Sequence, residues 1–119
     1  VADPVKPIVI VDWQTTGVGI GVGDIAYYTG TAFDAAHRRE IEPQLLARYK
    51  AQLLERGVRD GDLKHIDDDY CRSAVAGFLM GVTAAMVVER TDRGDDMFLA
   101  MARRSAAMVL DHGERALPQ

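Results

Sequence analysis

The stretch YCRSAVAGFLMGVTAAMVVER, residues 70–90, decides the predicted fold of this 119-residue chain. Its larger apolar residues, among them Val75, Phe78, Val82 and Met86, are spaced so that almost every side of a helix is apolar. A helix of this kind is buried by neighbouring elements on several sides. We therefore expect it to be the central helix of a helical domain.

Three other helices are predicted around this central one, over about 24–29, 35–56 and 97–111. Each is followed by a glycine, a typical stop signal, at Gly30, Gly57 and Gly113. In the second helix Ile41, Leu45, Tyr49 and Leu53 recur every four residues and share one face. Pro43 leaves two starts open for that helix: near residue 35, or near residue 42 with the proline at the first helical position.

A short β strand or hairpin is expected in front of these helices. The run Pro7-Ile8-Val9-Ile10-Val11 is typical of a buried strand within 5–11, Asp12 follows it, and a glycine-rich loop covers 15–23. The prediction is thus a mainly α chain forming one domain or partial domain. Residues 1–30 hold the strand, loop and short helix, and residues 31–119 form a helical subdomain.

The alternating glycines of the loop, Gly17, Gly19, Gly21 and Gly23, do not indicate a dinucleotide-binding motif. In G-x-G-x-x-G the third glycine would fall on Val22 or Asp24. The alternative explanation is that the loop lies tightly against neighbouring backbone, where a Cβ atom would clash.

The segments Ile10-Val11-Asp12-Trp13-Gln14 and Asp24-Ile25-Ala26-Tyr27-Tyr28, joined by the glycine-rich loop, resemble the aminoglycoside phosphotransferase and choline kinase-like superfamily. The specific part of this resemblance lies within 9–28. The resemblance implies the C-terminal lobe of a kinase-like fold. It also implies that Asp12 binds Mg²⁺ against the phosphates of ATP, and that Asp24 opens a helix and braces the catalytic loop.

Other parts of the family pattern do not occur in the 119 residues, above all the His-Gly-Asp catalytic loop and the second metal ligand that follows it. No catalytic residue is therefore assigned within the chain, and the general base is expected upstream of Val1. We expect a cytoplasmic phosphotransferase fragment that transfers phosphate from ATP to a substrate hydroxyl only when intact, and that binds Mg²⁺ and ATP weakly by itself.

Acidic residues on C-terminal helices line the acceptor pocket in relatives that phosphorylate cationic substrates. By that resemblance Asp60, Asp62 and Asp67 are candidates for a substrate pocket. The identity of the hydroxyl-bearing acceptor and the choice between ATP and GTP stay open. From the residues alone, the run Asp67-Asp68-Asp69 favours capping of the central helix over a metal cluster.

Composition excludes several other classes. The chain has 14 basic and 18 acidic residues, a net charge of −4, which argues against nucleic acid as its main partner.

Its longest nearly uncharged stretch, 73–88, is shorter than a membrane span. Cys71 is the one cysteine, so no internal disulfide forms, and we interpret it as a packing residue in a reducing, cytoplasmic setting.

A second hypothesis belongs to a different class. The chain would be a non-catalytic helical binding or dimerisation module, in which Asp12 and Asp24 only cap local structure. In the first hypothesis the partner is the missing N-terminal part of the same protein. Apolar faces that this part leaves uncovered would make a homo-oligomer.

Overall fold

The structure, a computed structural model, describes residues 13–117, and every regular element in that range is helical. The four α-helices are α1 (Val22–Ala32), α2 (Ala35–Glu55), α3 (Ile66–Val87) and α4 (Asp92–His112). Single 3-10 turns lie at Trp13–Thr15, Asp60–Leu63 and Gly113–Ala116. The mainly α prediction agrees with this architecture.

The prediction of an N-terminal strand or hairpin as part of the fold is wrong for the residues that the structure describes. No strand occurs within 13–117, and the helical region begins at Val22, inside the expected loop. A strand needs a hydrogen-bonded partner, and the described residues supply none. The strand residues 5–11 and Asp12 themselves lie outside the described residues.

The glycine-rich segment is not pressed against backbone as expected. At Gly17 and Gly19 an added Cβ atom would have no neighbour within 4 Å. At Gly21 the Cβ atom would lie 2.9 Å from the hydroxyl of Tyr49, which is a side-chain contact. Close packing therefore explains at most the last glycines of the segment.

The starts of α2 and α4 are set by polar side chains that cap them. Asp34 caps α2 by accepting a hydrogen bond from the amide of His37 at 3.0 Å, so α2 begins at Ala35 with Pro43 in its interior. The alternative start near residue 42 is therefore wrong. Thr91 caps α4 by accepting from the amide of Gly94 at 3.0 Å, which sets a start upstream of the predicted one.

The central helix also begins earlier than predicted, at Ile66. The run Asp67-Asp68-Asp69 therefore lies in its first turn, and the cap position is held by His65, whose side chain makes no capping bond. The capping prediction for this run is wrong. Negative charge in the first turn still stabilises the helix through its dipole.

Two of the three predicted stops are confirmed. Gly57 and Gly113 have positive φ angles of 88° and 57° directly after α2 and α4, a conformation that costs other residues more than glycine. Gly30 does not end α1. It lies under Met108, where a Cβ atom would be 2.9 Å from the sulfur, so its small size serves helix packing.

The core lies where α3 packs against α1 and α4, as expected for a central helix. Gly77 and Gly81 bring α3 close to α4, since a Cβ at Gly77 would be 2.5 Å from the Ser105 hydroxyl oxygen. The buried apolar cluster consists of Val22, Ala26, Ile66, Tyr70, Cys71, Ala74 and Met108. Cys71 is thus a packing residue, as expected.

Helix α2 lies at the margin of this core. Tyr49 and Leu53 of its predicted apolar face pack against the core, whereas Ile41 and Leu45 are only half-buried. Among its residues only Arg38 is fully buried. The attachment of α2 therefore depends on charged side chains as well as apolar ones.

The second half of α3 packs against α4 on one side and exposes apolar side chains on others, among them Leu79, Met86 and Val87. The helical stretch Asp60–Val87 is long and apolar enough to cross a membrane by length and composition, with 28% of its most apolar window buried in the protein. The prediction that the apolar stretch is shorter than a membrane span, made from 73–88 alone, underestimated its length. Core helices of soluble proteins pass the same criterion, so it does not by itself indicate a membrane.

Candidate functional site

The first candidate site residue, Asp24, lies in the first turn of α1 and is exposed. The helix that the family resemblance implies at this position is present, starting at Val22. The carboxylate of Asp24 is near the positive end of the helix dipole, where an acceptor of hydrogen bonds is electrostatically favoured. Asp12, the candidate metal ligand, lies outside the described residues.

Two of the three acidic residues predicted for a substrate pocket line one cleft. Asp60 and Asp67 border an open cleft of about 330 Å³ between the end of α2 and the start of α3. Lys50 and Lys64 line the same cleft. Its volume lies at the lower end of the range that holds a small organic molecule.

The charges in this cleft are partly paired. The Lys50 ammonium group donates to the Asp67 carboxylate at 2.6 Å. Neither Asp60 nor Lys64 forms an ion pair with another residue of 13–117. Among the described residues the cleft therefore offers one carboxylate and one ammonium group without an ion-pair partner, a combination suited to a polar ligand rather than to a simple cation.

Asp62 does not line this cleft. Its carboxylate accepts two hydrogen bonds from Arg59, at 2.9 and 3.0 Å, on the exposed 3-10 turn before α3. This is a local ion pair between residues three apart.

A second polar site, which the sequence did not indicate, is buried between α2 and α4. We call it the Arg38 cluster: Arg38, Arg39, Glu42, Asp111 and His112. Arg38 donates from its two terminal nitrogens to Glu42 and to Asp111, and its side chain is 1% exposed. Arg39 binds the same Asp111 carboxylate from outside, at 2.8 and 2.9 Å.

The acidic members of the Arg38 cluster are held ionised. The hydrogen bonds from Arg39, together with the nearby Arg38 charge, lower the pKa of Asp111 against the opposing effect of burial. Burial raises the pKa of Glu42, but contacts with His112 and Arg38 outweigh it, so the pKa lies below the ordinary value of 4.5. Both carboxylates therefore carry their charge at neutral pH.

The thiol of Cys71 lies next to two members of this cluster, the His112 imidazole and the Glu42 carboxylate. The Cys71 sulfur lies 3.5 Å from Nδ1 of His112. Nε2 of the same ring lies 3.2 Å from Glu42, although the ring nitrogen is not aligned for a hydrogen bond. Sequence spacing could not reveal this arrangement, because 41 residues separate Cys71 from His112.

This alignment does not make Cys71 an activated nucleophile. Its residue is 3% exposed, and burial raises the pKa of the thiol above its ordinary value. The thiolate is the reactive form, so a buried thiol with a raised pKa is inert at neutral pH. The row of Cys71, His112 and Glu42 therefore joins α3, α4 and α2 and has a structural role.

Tyr70 completes the buried polar contacts. Its hydroxyl lies 2.8 Å from the Thr29 hydroxyl, and its ring meets the His112 ring edge-on, with centroids 5.7 Å apart. Burial raises the pKa of Tyr70 to about 12, so the hydroxyl stays protonated. Thr29 also donates to the Ile25 carbonyl at 2.7 Å, which leaves both hydroxyls satisfied.

No group of three histidine, cysteine, aspartate or glutamate side chains within 13–117 is arranged to hold a metal ion. Comparisons of the chain with protein-family models, with curated proteins and with solved structures found no match.

Proposed function

We propose that this chain is the C-terminal portion of a phosphotransferase that moves the γ-phosphoryl group of ATP to the hydroxyl of a small molecule. The observation that carries the proposal is the position of Asp24. In the family that the sequence resembles, the second aspartate of the motif opens a helix, and Asp24 lies in the first turn of α1 with an exposed carboxylate. Packing of α1 against α3 and α4 gives that carboxylate a fixed support.

The roles of the residues follow from the resemblance. Asp12 would hold Mg²⁺, which neutralises charge on the transferring phosphoryl group. Asp24 would accept hydrogen bonds from the catalytic loop. The base that takes the proton from the acceptor hydroxyl would come from sequence upstream of Val1, and ADP would leave after transfer.

The open cleft bordered by Asp60 and Asp67 is the proposed place of the acceptor within this chain. The Asp60 carboxylate can accept hydrogen bonds from hydroxyl or ammonium groups, and Lys64 can donate to oxygen atoms. A polyhydroxylated acceptor, with or without an amino group, matches these two groups better than a purely cationic one does.

The proposal is tested on the complete gene product that contains these residues. Binding of a fluorescent ATP analogue is titrated with Mg²⁺ for the natural protein, for Asp12→Asn and for a control, Asp96→Asn, which changes an exposed carboxylate on α4. We expect Mg²⁺ to strengthen binding in the natural protein and in the control but not in Asp12→Asn. Equal Mg²⁺ dependence in all three proteins, or no binding of the analogue to any, would refute the proposal.

A second candidate, the helical binding or dimerisation module without chemistry, is favoured by a different observation. Apolar side chains of α3 and α4 are exposed well beyond what isolated surface residues require, with Met86 and Leu110 each 80% exposed. The same titration separates the two candidates, since a pure binding module has no Mg²⁺-dependent affinity for ATP.

A further inference from the structure

Helices α3 and α4 share an apolar surface that no residue of 13–117 covers. We call it the apolar strip: Phe78, Val82 and Met86 on α3, with Leu99, Ala106 and Leu110 on α4. The spacing of four or seven residues puts the members of each helix on one side of it. The strip lies on the side of the helix pair away from α1, because Ser73 and Arg104, which contact α1, project from the other side.

The strip contains two hollows and two projections. A hollow of about 500 Å³ lies beside Val82 and Leu99, and one of about 320 Å³ lies beside Phe78 and Ala106. Met86 borders the first hollow and Leu110 the second, and each is 80% exposed. Each end of the strip therefore has both a projecting side chain and a space for one.

The area of the strip matches what a stable pair of subunits needs. Its five large residues are between 37% and 80% exposed. At about 150 Å² for a fully exposed residue of this size, they leave about 400 Å² of apolar surface. A standard interface hides about 800 Å² per partner, of which about 500 Å² is apolar in homodimers, and half-buried neighbours such as Val75 supply much of the difference.

We infer that the apolar strip is the interface through which two copies of this chain form a two-fold symmetric dimer. The two helices of one copy run antiparallel, since Gly77 lies beside Ser105 while Gly81 lies beside Ala102. A two-fold axis parallel to the helices places α3 of one copy against α4 of the other and makes an antiparallel four-helix bundle. The dipoles of neighbouring helices then point in opposite directions, which is electrostatically favourable.

In this arrangement residues of the two copies that lie at the same position along the helix axis face each other. Gly81 contacts Ala102 and the carbonyl of Phe98, so the following residue, Val82, stands level with Leu99. Across the two-fold axis Val82 of one copy faces Leu99 of the other. Met86 then fills the larger hollow of the partner, and Leu110 fills the smaller one.

The test measures the molar mass of the 119-residue chain by light scattering during gel filtration at micromolar concentration. We expect twice the 13.0 kDa of one chain. Leu99→Lys introduces a charge at the centre of the strip and should raise the dimer dissociation constant about 100-fold or more, giving a monomer. Circular dichroism of the variant should retain the helical signal of the natural chain.

Met97→Lys is the matched control. Met97 is on the same helix and 51% exposed, against 48% for Leu99, but two residues along the helix it points to the other side. It should leave the dimer intact. The same molar mass for both variants would overturn the inference. So would a molar mass of 13.0 kDa for the unsubstituted 119-residue chain, or its binding to phospholipid vesicles as a monomer.

A mixing experiment tests the facing pair directly. Val82→Glu and Leu99→Lys should each be monomeric alone, and an equimolar mixture should form a heterodimer because one glutamate then faces one lysine. A mixture that stays monomeric, while each variant is folded by circular dichroism, would overturn the proposed two-fold arrangement.

Discussion

Replacing Arg38 by methionine should destabilise the protein far more than the same change at its neighbour Arg39. Both guanidinium groups bind the Asp111 carboxylate. They differ in burial, since the side chain of Arg38 is 1% exposed and that of Arg39 is 57% exposed. Methionine preserves most of the apolar length of arginine, so the comparison isolates the charged group.

The magnitude follows from the charges that Arg38→Met leaves behind. Removing one partner of a buried ion pair costs about 3–5 kcal/mol, because the other charge stays buried without its partner. The lower end applies here, since Glu42 keeps His112 and Asp111 keeps Arg39. A loss of about 3 kcal/mol is a large part of the 5–15 kcal/mol of a typical domain.

The assay is urea unfolding followed by circular dichroism. With a slope of about 1.5 kcal/mol per molar urea, a loss of about 3 kcal/mol lowers the midpoint by about 2 M. Arg39→Met should leave the midpoint nearly unchanged, because exposed ion pairs contribute little. Adding Glu42→Gln to Arg38→Met should recover part of the loss, since it removes one stranded charge.

Two results would refute this reasoning. One is a similar midpoint for Arg38→Met and Arg39→Met, which would mean that burial does not decide the strength of these ion pairs. The other is a double variant less stable than Arg38→Met itself, which would mean that Glu42 stabilises the fold without Arg38.

Acidification should destabilise the protein through Glu42 and Asp111. Their pKa values are lower in the folded chain than the ordinary 4.5 and 3.8, so their ionised forms stabilise the fold above those values, and this stability is lost as the pH falls through the lowered folded pKa values. Urea midpoints measured from pH 7 to pH 3 should fall less steeply below pH 4.5 in Glu42→Gln, and identical slopes would contradict the assignment. In the core, Thr29→Val should lower the free energy of unfolding by about 1–3 kcal/mol, because it leaves the buried Tyr70 hydroxyl without a hydrogen-bond partner. Tyr70→Phe should lose less hydrogen-bond energy, because Thr29 stays bonded to a backbone carbonyl. Thermal unfolding compares the two, after Tyr70→Phe is checked for an unchanged helical signal, and the reverse order would contradict the hydrogen-bond assignment.

The sequence predicted helix ends well where the residues that set them act within one turn of the backbone. Gly57 and Gly113 act on the backbone within one turn, so the ends of α2 and α4 agree with the prediction. The start of α2 was left open between residues 35 and 42, and the Asp34 cap decides it. The early starts of α3 and α4 have different explanations. Several polar residues near the start of α4 can cap a helix and only Thr91 does, whereas no side chain caps α3 at all, so no capping residue marks its start.

The errors in the N-terminal region have a different cause. The β-branched run of residues 8–11 is typical of a strand, but a strand forms only with a partner that sequence alone does not identify. Glycine is a common helix stop, but Gly30 instead lets Met108 pack against α1.

The candidate site was predictable only in part. Asp60 and Asp67 border one cleft, while Asp62 pairs with Arg59, and the resemblance that suggested all three could not distinguish them. The Arg38 cluster was missed entirely. Its one sequence signal is the i,i+4 pair of Arg38 and Glu42, which on an exposed helix would be an ordinary surface ion pair.

The sequence by itself determined that the chain is mainly helical and that α3 is its central helix, whereas the phosphotransferase-like motif around Asp24 stays a resemblance. These follow from spacing, caps and residue types within short segments, where the physical interactions reach only a few residues. The tertiary structure alone decided which charges are buried, that Cys71 meets His112, and that the second half of α3 joins α4 in an uncovered apolar strip. Burial depends on which distant helix lies alongside, and a side chain 73 residues away, as Asp111 is from Arg38, leaves no trace in the local pattern.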